Sequence, residues 1–507
     1  MLNSFIIPLS KMWAKATHIL FESHWIIWIL FGFALVRGLI SLLAYSPALG
    51  ADSFAYFFYA ERLVGMDVPG LEQLVPPLYP FLILVTYKWL GSTYVLIFVQ
   101  FLMSAAIVPL YYDALKTIDP LLALLASLVI LFDFQLAVVF NFTSTEPLYV
   151  FMLAVSFNLF MHVVTRHDSG SPMMVAASAG ALVLLLLTRA VGRFMVIPLA
   201  LVLLLRTRSW KRLAVFVGSF GLALIAYSLL SLSLFGHVEG VSSSTYMVTG
   251  IISRNKTWVS PGNGPATAEF LAIQKRCEGG QFSDISNCYL FEHGTTDGLI
   301  ALMVNTALET ISANLMPYAI QVWDNLNEFL KLSGQQLGFD RSTPSAAQCE
   351  VAGEQTNTYG YGWTWAWIAG NDDANYKAFR IQWDSIEKSL CPPLPDSELV
   401  RNAVNYLAFR YRSLGRPAPM LWYGTLLLLA VVIPWARRQY LTLVLAAGVF
   451  LFNHALISAA LGNVQARYVV VTNPFRAILL LVLLFIGVRL IARACTRLWI
   501  RLESAMG

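Results

Sequence analysis

Asp52 is the residue best placed to do chemistry. It lies just beyond the first long apolar segment (about 25 to 45), in Ala51-Asp52-Ser53-Phe54-Ala55-Tyr56-Phe57-Phe58-Tyr59-Ala60-Glu61-Arg62. The aromatic run predicts a helix in a membrane interface, with an acid held at lipid depth. Such an acid is costly to keep ionised unless it is paired or used. On a helical period Asp52, Tyr56 and Tyr59 share a face, and Glu61 points away. The chemistry this suggests is proton transfer.

Other polar residues gather at the ends of apolar segments. They are Thr145-Glu146-Pro147, Thr188-Arg189-Ala190-Val191-Gly192-Arg193 and Asn463-Val464-Gln465-Ala466-Arg467-Tyr468. Arg189 and Arg193 are four apart and would share a helical face. Guanidinium forks match phosphate oxygens, and a phosphate at membrane depth belongs to a lipid headgroup or a lipid-linked group. The plainer reading is contact with ordinary lipid phosphates, or pairing with Glu146 or Asp133. Arg37, near the middle of the first apolar segment, needs a partner; Asp133 and Asp52 are the candidates. His454, beside Asn453, reads first as an interhelical hydrogen bond. Tyr56, Tyr59, Tyr79 and Tyr468 suit sugar stacking and lipid contact, although tyrosine belts are common at membrane interfaces. Asn141-Phe142-Thr143 and Asn255-Lys256-Thr257 fit a glycosylation triplet that often arises by chance.

The elements that must position these groups follow from composition. The chain has 507 residues, 57% hydrophobic and 12% charged. Soluble domains carry about 25% charged residues, so this is a polytopic membrane protein. Residues 237–416 hold 13 Lys+Arg and 18 Asp+Glu, a net of −5. The overall +5 therefore leaves +10 for the rest. That excess flanks apolar segments, which orients a membrane protein and is no sign of nucleic acid.

Ten spans are expected near 25–45, 92–112, 120–140, 146–164, 173–188, 193–206, 212–235, 419–435, 441–461 and 468–488. Residues 1–24 lack a cleavage site and read as an amphipathic cytoplasmic segment. Residues 25–236 form a transmembrane module with outer-face interfacial helices at 51–90, among them Pro76-Pro77-Leu78-Tyr79-Pro80 and the apolar run after it. Residues 237–416 form an extracytoplasmic domain of mixed structure, 417–490 the C-terminal spans and 491–507 a cytoplasmic tail. With both termini cytoplasmic, every inner connection carries a basic residue: Lys11 and Lys15, Lys116, Arg166, Arg206 to Arg212, Arg437 and Arg438, and Arg489 onward. Four cysteines (Cys277, Cys288, Cys349, Cys391) fall in the outer section and Cys495 in the tail. An even number outside suggests two disulfides. Three pairings are open, with Cys277–Cys288 and Cys349–Cys391 favoured over four free thiols. No CxxC spacing marks a metal site, and His293 beside Glu292 is the nearest approach to one.

In order and spacing, Asp52-Ser53-xx-Tyr56, Pro76-Pro77-Leu78-Tyr79-Pro80, Thr145-Glu146-Pro147, Arg189 and Gln465-Ala466-Arg467-Tyr468 resemble the GT-C superfamily of polyprenyl-phosphate-dependent glycosyltransferases. The resemblance covers about 25–235 and 419–490 and is nearest the branch with aminoarabinose transferases and protein O-mannosyltransferases. It implies an inner-membrane enzyme of the bacterial envelope. Such an enzyme takes a sugar from a polyprenyl-phosphate donor to a glycan, glycolipid or protein acceptor at the outer face, with inversion. It makes Asp52 the catalytic acid of the first outer loop and general base. The roles that go with it are Arg189, Arg193 and Arg467 at the donor phosphate, and Tyr56, Tyr59, Tyr79, Glu146, Gln465 and Tyr468 at the substrates. The protein mannosyltransferase pattern has a second acid beside the first, where this chain has Ser53. No cofactor is required, and no ligand cluster supports a divalent metal. Two other readings are a polysaccharide polymerase or ligase with a lipid-pyrophosphate donor, and a lipid or sugar transporter. The second would show polar mid-membrane residues in symmetric halves, which are not seen.

Overall fold

The computed structural model describes residues 25–45, 47–49, 53–63, 76–165, 171–235, 251–252, 255–276, 296–331, 397–413, 419–461 and 466–506. Asp52, Gln465, Cys277, Cys288, Cys349, Cys391 and the His293–Glu292 pair lie outside the described residues. The N-terminal amphipathic segment does too.

The chain begins with α1 (Trp25–Ala44), a two-residue strand β1 (Ala48–Leu49) and α2 (Ser53–Arg62). Next come α3 (Leu78–Ile83), running into a π turn (Leu84–Trp89), and α4 (Thr93–Lys116). Gly91, at φ +75°, turns the chain between them, a conformation that glycine adopts at no steric cost. Ser92 then caps α4 by accepting from Tyr94 N.

The expected span at 120–140 is broken into α5 (Pro120–Leu131) and α6 (Phe134–Val139). The cause is Asp133. Its carboxylate accepts from Leu136 N and from Asn473 Nδ2 (2.9 Å), so it starts a new helix inside the apolar run. The start of α5 is built from Asp119, which accepts from Leu121 N and Leu122 N with Pro120 at the first helical position.

After strand β2 (Phe142–Thr143) come α7 (Thr145–Thr165), α8 (Pro172–Thr188), a 3-10 turn (Ala190–Met195), α9 (Val196–Thr207) and α10 (Trp210–Phe235). Within residues 237–416 lie α11 (Pro265–Arg276), α12 (Thr296–Ala313), α13 (Leu315–Lys331) and α14 (Glu398–Ser413). The described part of this stretch is helical, with short 3-10 turns. Last come α15 (Pro419–Val432), α16 (Pro434–Ala460), the short α17 (Ala466–Val470) and α18 (Asn473–Met506).

Among the described residues, six helices are long and apolar enough to cross a membrane: α1, α4, α7, α16 and most of α10 and α18. Pro120–Leu131, Pro172–Thr188 and Leu421–Val432 are shorter apolar helices. The protein is a helical, multi-pass membrane protein.

α7 sits at the centre. Its spanning stretch is 78% buried, against 11% for that of α10 at the periphery. Around it Tyr111, Phe157, Phe450 and Phe475 pack ring to ring at 5.1–5.7 Å, joining α4, α7, α16 and α18. α1 approaches α4 closely because residue 38 is glycine. A Cβ there would meet the Phe101 ring at 2.5 Å.

Arg37 is buried, and the hydrogen bonds it makes to described residues do not go to Asp133. It donates to Ile130 O (3.0 Å), Ser104 O (2.9 Å) and Ser104 Oγ (2.8 Å). Backbone carbonyls thus supply the polarity that a charge inside the bundle needs. At the opposite end of the bundle from the candidate site, Asp119 accepts from Tyr440 (2.9 Å) and Arg489 (3.1 Å), tying α5, α16 and α18 together.

Candidate functional site

Three connections meet at the end where α1, α7 and α8 turn. The first is the stretch from α1 to α2. β1 pairs with β2 in parallel, Ala48 with Phe142 and Leu49 with Thr143. Asn141 Nδ2 donates to Ser41 O and Oγ (3.1 Å each) and to Tyr45 O (2.9 Å). The Ser53 hydroxyl donates to Thr143 O and lies 2.7 Å from Thr143 Oγ1. The residue after Asp52 is therefore pinned to the strand that leads into α7.

The second connection carries the aromatics of α2 and α3. Tyr56, Tyr59 and Tyr79 are buried, not spread on an interface. Tyr56 meets Tyr79 edge to face at 5.3 Å, and its hydroxyl is 3.4 Å from Thr145 Oγ1. Tyr79 donates to Gln100 Oε1 (2.8 Å). Gln100 Nε2 in turn donates to Phe140 O (2.8 Å) and Phe142 O (3.0 Å), satisfying carbonyls that the two-residue strand leaves near it. Glu61 is buried and paired with Lys88 at 2.6 Å, because the π turn after α3 brings that lysine over α2.

The third is the end of α8. Arg189 is extended (φ −153°, ψ 132°) and its N–H closes the helix on Leu185 O. Its guanidinium, 8% exposed, reaches Glu146 Oε1 at 2.9 Å; Glu146 is 3% exposed. It lies 4.5 Å from the centroid of the Tyr468 ring and 5.6 Å from that of Tyr149. Tyr149 is one turn beyond Glu146 on α7, so both face the same way. The Tyr149 hydroxyl is 3.3 Å from His454 Nδ1. Two buried, opposite charges with aromatic walls hold a strong, directed field.

Arg193 does not join this group. Arg189 is not helical and the following turn is 3-10, so the four-residue spacing no longer puts both on one face, and Arg193 is exposed. Arg467 lies in α17, next to Tyr468; its side chain lies outside the described residues. The structure thus brings together Glu146, Arg189 and Tyr468, with Tyr56 and Tyr79 beside Thr145 at the start of α7, while Tyr59 is buried in the core. Sequence reading missed Tyr149 and Gln100. Tyr149 was findable from its spacing to Glu146, and Gln100 as a polar residue within an apolar span. Among the described residues, no three His, Cys, Asp or Glu side chains come together to hold a metal.

Beside the cluster runs an apolar groove of about 620 Å³. Its walls include Pro198 of α9, Leu326 of α13, Leu427 of α15, Gly448 and Phe452 of α16, and Leu479 of α18. Asn453 lines it and donates to Val191 O (3.0 Å), two residues beyond Arg189.

Two crystal structures are among the solved structures with a remote likeness to this chain. One is an oligosaccharyltransferase of Archaeoglobus fulgidus, tethered through a disulfide to an acceptor peptide containing the NVT sequon. It shares 13% identity and a TM-score of 0.31, over 83% of this chain and 59% of that one. The other is ArnT of Cupriavidus metallidurans bound to undecaprenyl phosphate. It shares 13% identity and a TM-score of 0.36, over 87% and 78%. This chain therefore spans less than two thirds of the length of the oligosaccharyltransferase. No protein-family model and no curated protein sequence matches it.

Proposed function

We propose that this protein is a membrane glycosyltransferase that moves a sugar from a polyprenyl-phosphate donor to an envelope glycan, glycolipid or protein acceptor at the outer face. The observation that carries this reading is a buried arginine, Arg189, walled by Tyr149 and Tyr468, next to an apolar groove. A lipid phosphate needs both at once: a cation for its headgroup and a greasy path for its chain. Asn453, which lines the groove, joins it to the cluster through its bond to Val191 O.

In this reading the ten expected segments cross the membrane with both termini cytoplasmic, the shorter helices α5, α8, α9 and α15 crossing as parts of the bundle. The donor carries its own leaving group, because sugar nucleotides stay in the cytoplasm. Asp52 takes the proton from the acceptor hydroxyl as that oxygen bonds to the anomeric carbon. The bond from that carbon to the phosphate oxygen breaks, and its electron pair leaves with the polyprenyl phosphate. Arg189, with Arg467, balances the charge of the departing phosphate. Glu146 holds Arg189 until the donor competes for it. One displacement inverts the anomeric centre.

The test is reconstitution in liposomes with polyprenyl-phosphate sugars and an envelope extract as acceptor. Asp52→Asn should lower turnover about 100- to 10,000-fold while keeping lipid-phosphate binding. Arg189→Gln should weaken that binding. Full transfer by Asp52→Asn would remove the aspartate from the mechanism, and native protein that only relocates lipid would be a transporter.

A further inference from the structure

Both rings that flank Arg189 rest on one side chain. The His454 imidazole packs against Tyr149 at 5.6 Å and Tyr468 at 6.3 Å, and its Nδ1 meets the Tyr149 hydroxyl at 3.3 Å. It is fully buried, in the last turns of α16. On its third side lies Phe329 of α13, at 5.9 Å.

Helix α13 is held onto the bundle by backbone caps. Tyr318 donates to Ala460 O (2.9 Å) and Asn325 to Ala459 O (3.0 Å), meeting carbonyls at the end of α16 that lack partners within the helix. Arg476 of α18 does the converse. It donates to Phe329 O (2.8 Å) and Leu330 O (3.4 Å) in the last turn of α13, and its guanidinium sits 5.3 Å from the Phe329 ring. One turn before Phe329, Leu326 reaches the apolar groove. A single helix of the outer section therefore touches the groove with one side chain and the support of Arg189 with the next.

We infer that His454 is a positioning residue: it holds Tyr149 and Tyr468 against Arg189 and carries the docking of α13, through Phe329, to the guanidinium that receives the lipid phosphate. This rests on the phosphate-binding reading of Arg189. The imidazole touches neither donor nor acceptor. It acts on the donor through the two tyrosines, and α13 acts through it. Docking of the outer section and capture of the lipid phosphate are then coupled, with α13 as the shared element. A ligand that loosens α13 weakens the headgroup site, and one that fills the groove beneath Leu326 tightens it.

The experiment measures the Kd of undecaprenyl phosphate for the full-length protein in nanodiscs, with kcat and KM for its sugar-linked form. His454→Phe keeps a ring and removes the hydrogen-bonding partner of the Tyr149 hydroxyl. It should raise Kd and KM about fivefold, the loss of one ordinary hydrogen bond, with kcat changed less. Tyr149→Phe should do the same, and the double variant should be no worse than either single one. His454→Asn places an amide oxygen near the position of Nδ1 and should restore most of the affinity. Phe329→Leu should weaken binding by a similar factor and speed amide exchange in α13. Additive effects in the double variant, or no recovery with Asn, would overturn the coupling. So would an unchanged Kd in His454→Phe while Arg189→Gln abolishes binding. If Arg189→Gln leaves Kd unchanged, the reading of Arg189 itself fails, which is a different result.

Discussion

The Arg189 guanidinium donates to Glu146 at 2.9 Å across the meeting point of α7 and α8, with both side chains almost wholly removed from solvent. Neither charge could stand at this depth without a partner.

Removing one member should therefore cost more than removing both. Glu146→Leu leaves a buried cation and should destabilise the protein by about 3–5 kcal/mol. Glu146→Leu with Arg189→Met should recover most of that loss, since apolar side chains of similar volume often replace a buried pair at little cost. Thermal unfolding in detergent, compared across the single and double variants, checks the sign.

The close approach of α1 and α4 at Gly38 makes a second prediction. A methyl group there collides with the Phe101 ring, and overpacking costs about 1–3 kcal/mol. Alanine also gains about 1 kcal/mol of helix propensity over glycine. Phe101 is half-buried and its ring can turn aside, so the two effects nearly cancel and Gly38→Ala should lose at most about 2 kcal/mol. In a Phe101→Ala background the same change should become stabilising. A loss of equal size in both backgrounds would mean that the ring is not the obstacle.

A third concerns pH. Glu309 of α12 caps α11: its carboxylate accepts from Ala266 N (3.1 Å), Thr267 N (2.7 Å) and Thr267 Oγ1 (2.7 Å). Burial works against ionisation here, but the Thr267 hydroxyl and the two N–H groups outweigh it and hold the carboxyl below its ordinary value. A carboxyl depressed on folding adds stability above its unfolded value, near pH 4.3, and loses it as pH falls through the folded value. Amide exchange at Ala266 and Thr267 should accelerate as pH drops below about 4, after correction for intrinsic rates. In Glu309→Gln that acceleration should disappear, and helix α11 should be about 1 kcal/mol weaker at neutral pH.

Much of the bundle was legible because its punctuation is local. Asp119-Pro120 and Ser171-Pro172 stand at the starts of α5 and α8, within a residue or two of the spans expected from 120 and 173. Pro434, where α16 begins, falls instead inside the span expected at 419–435. The break at Asp133 was not legible, because a lone acid in an apolar run reads equally well as a cap or as a partner for Arg37. Arg37 itself chose carbonyls of Ser104 and Ile130, acceptors that every residue carries and no sequence pattern singles out. Of the site, Glu146, Arg189 and Tyr468 were legible from their positions at segment ends. The pairing of Arg189 with Arg193 failed because spacing arguments assume a helix, and here the chain is extended and then 3-10. The pairing of Glu61 was not legible for a different reason: its partner Lys88 comes from a separate element, and helical phase says nothing about what packs on top.

The groove beside Arg189 has exposed leucines on its rim, Leu427 and Leu456, so it opens sideways into the surrounding lipid. A lipid donor of the kind proposed would reach it by diffusion in two dimensions. The concentration governing its filling would then be a mole fraction in the leaflet, and dilution with inert lipid would starve the site even when the amount per litre is unchanged.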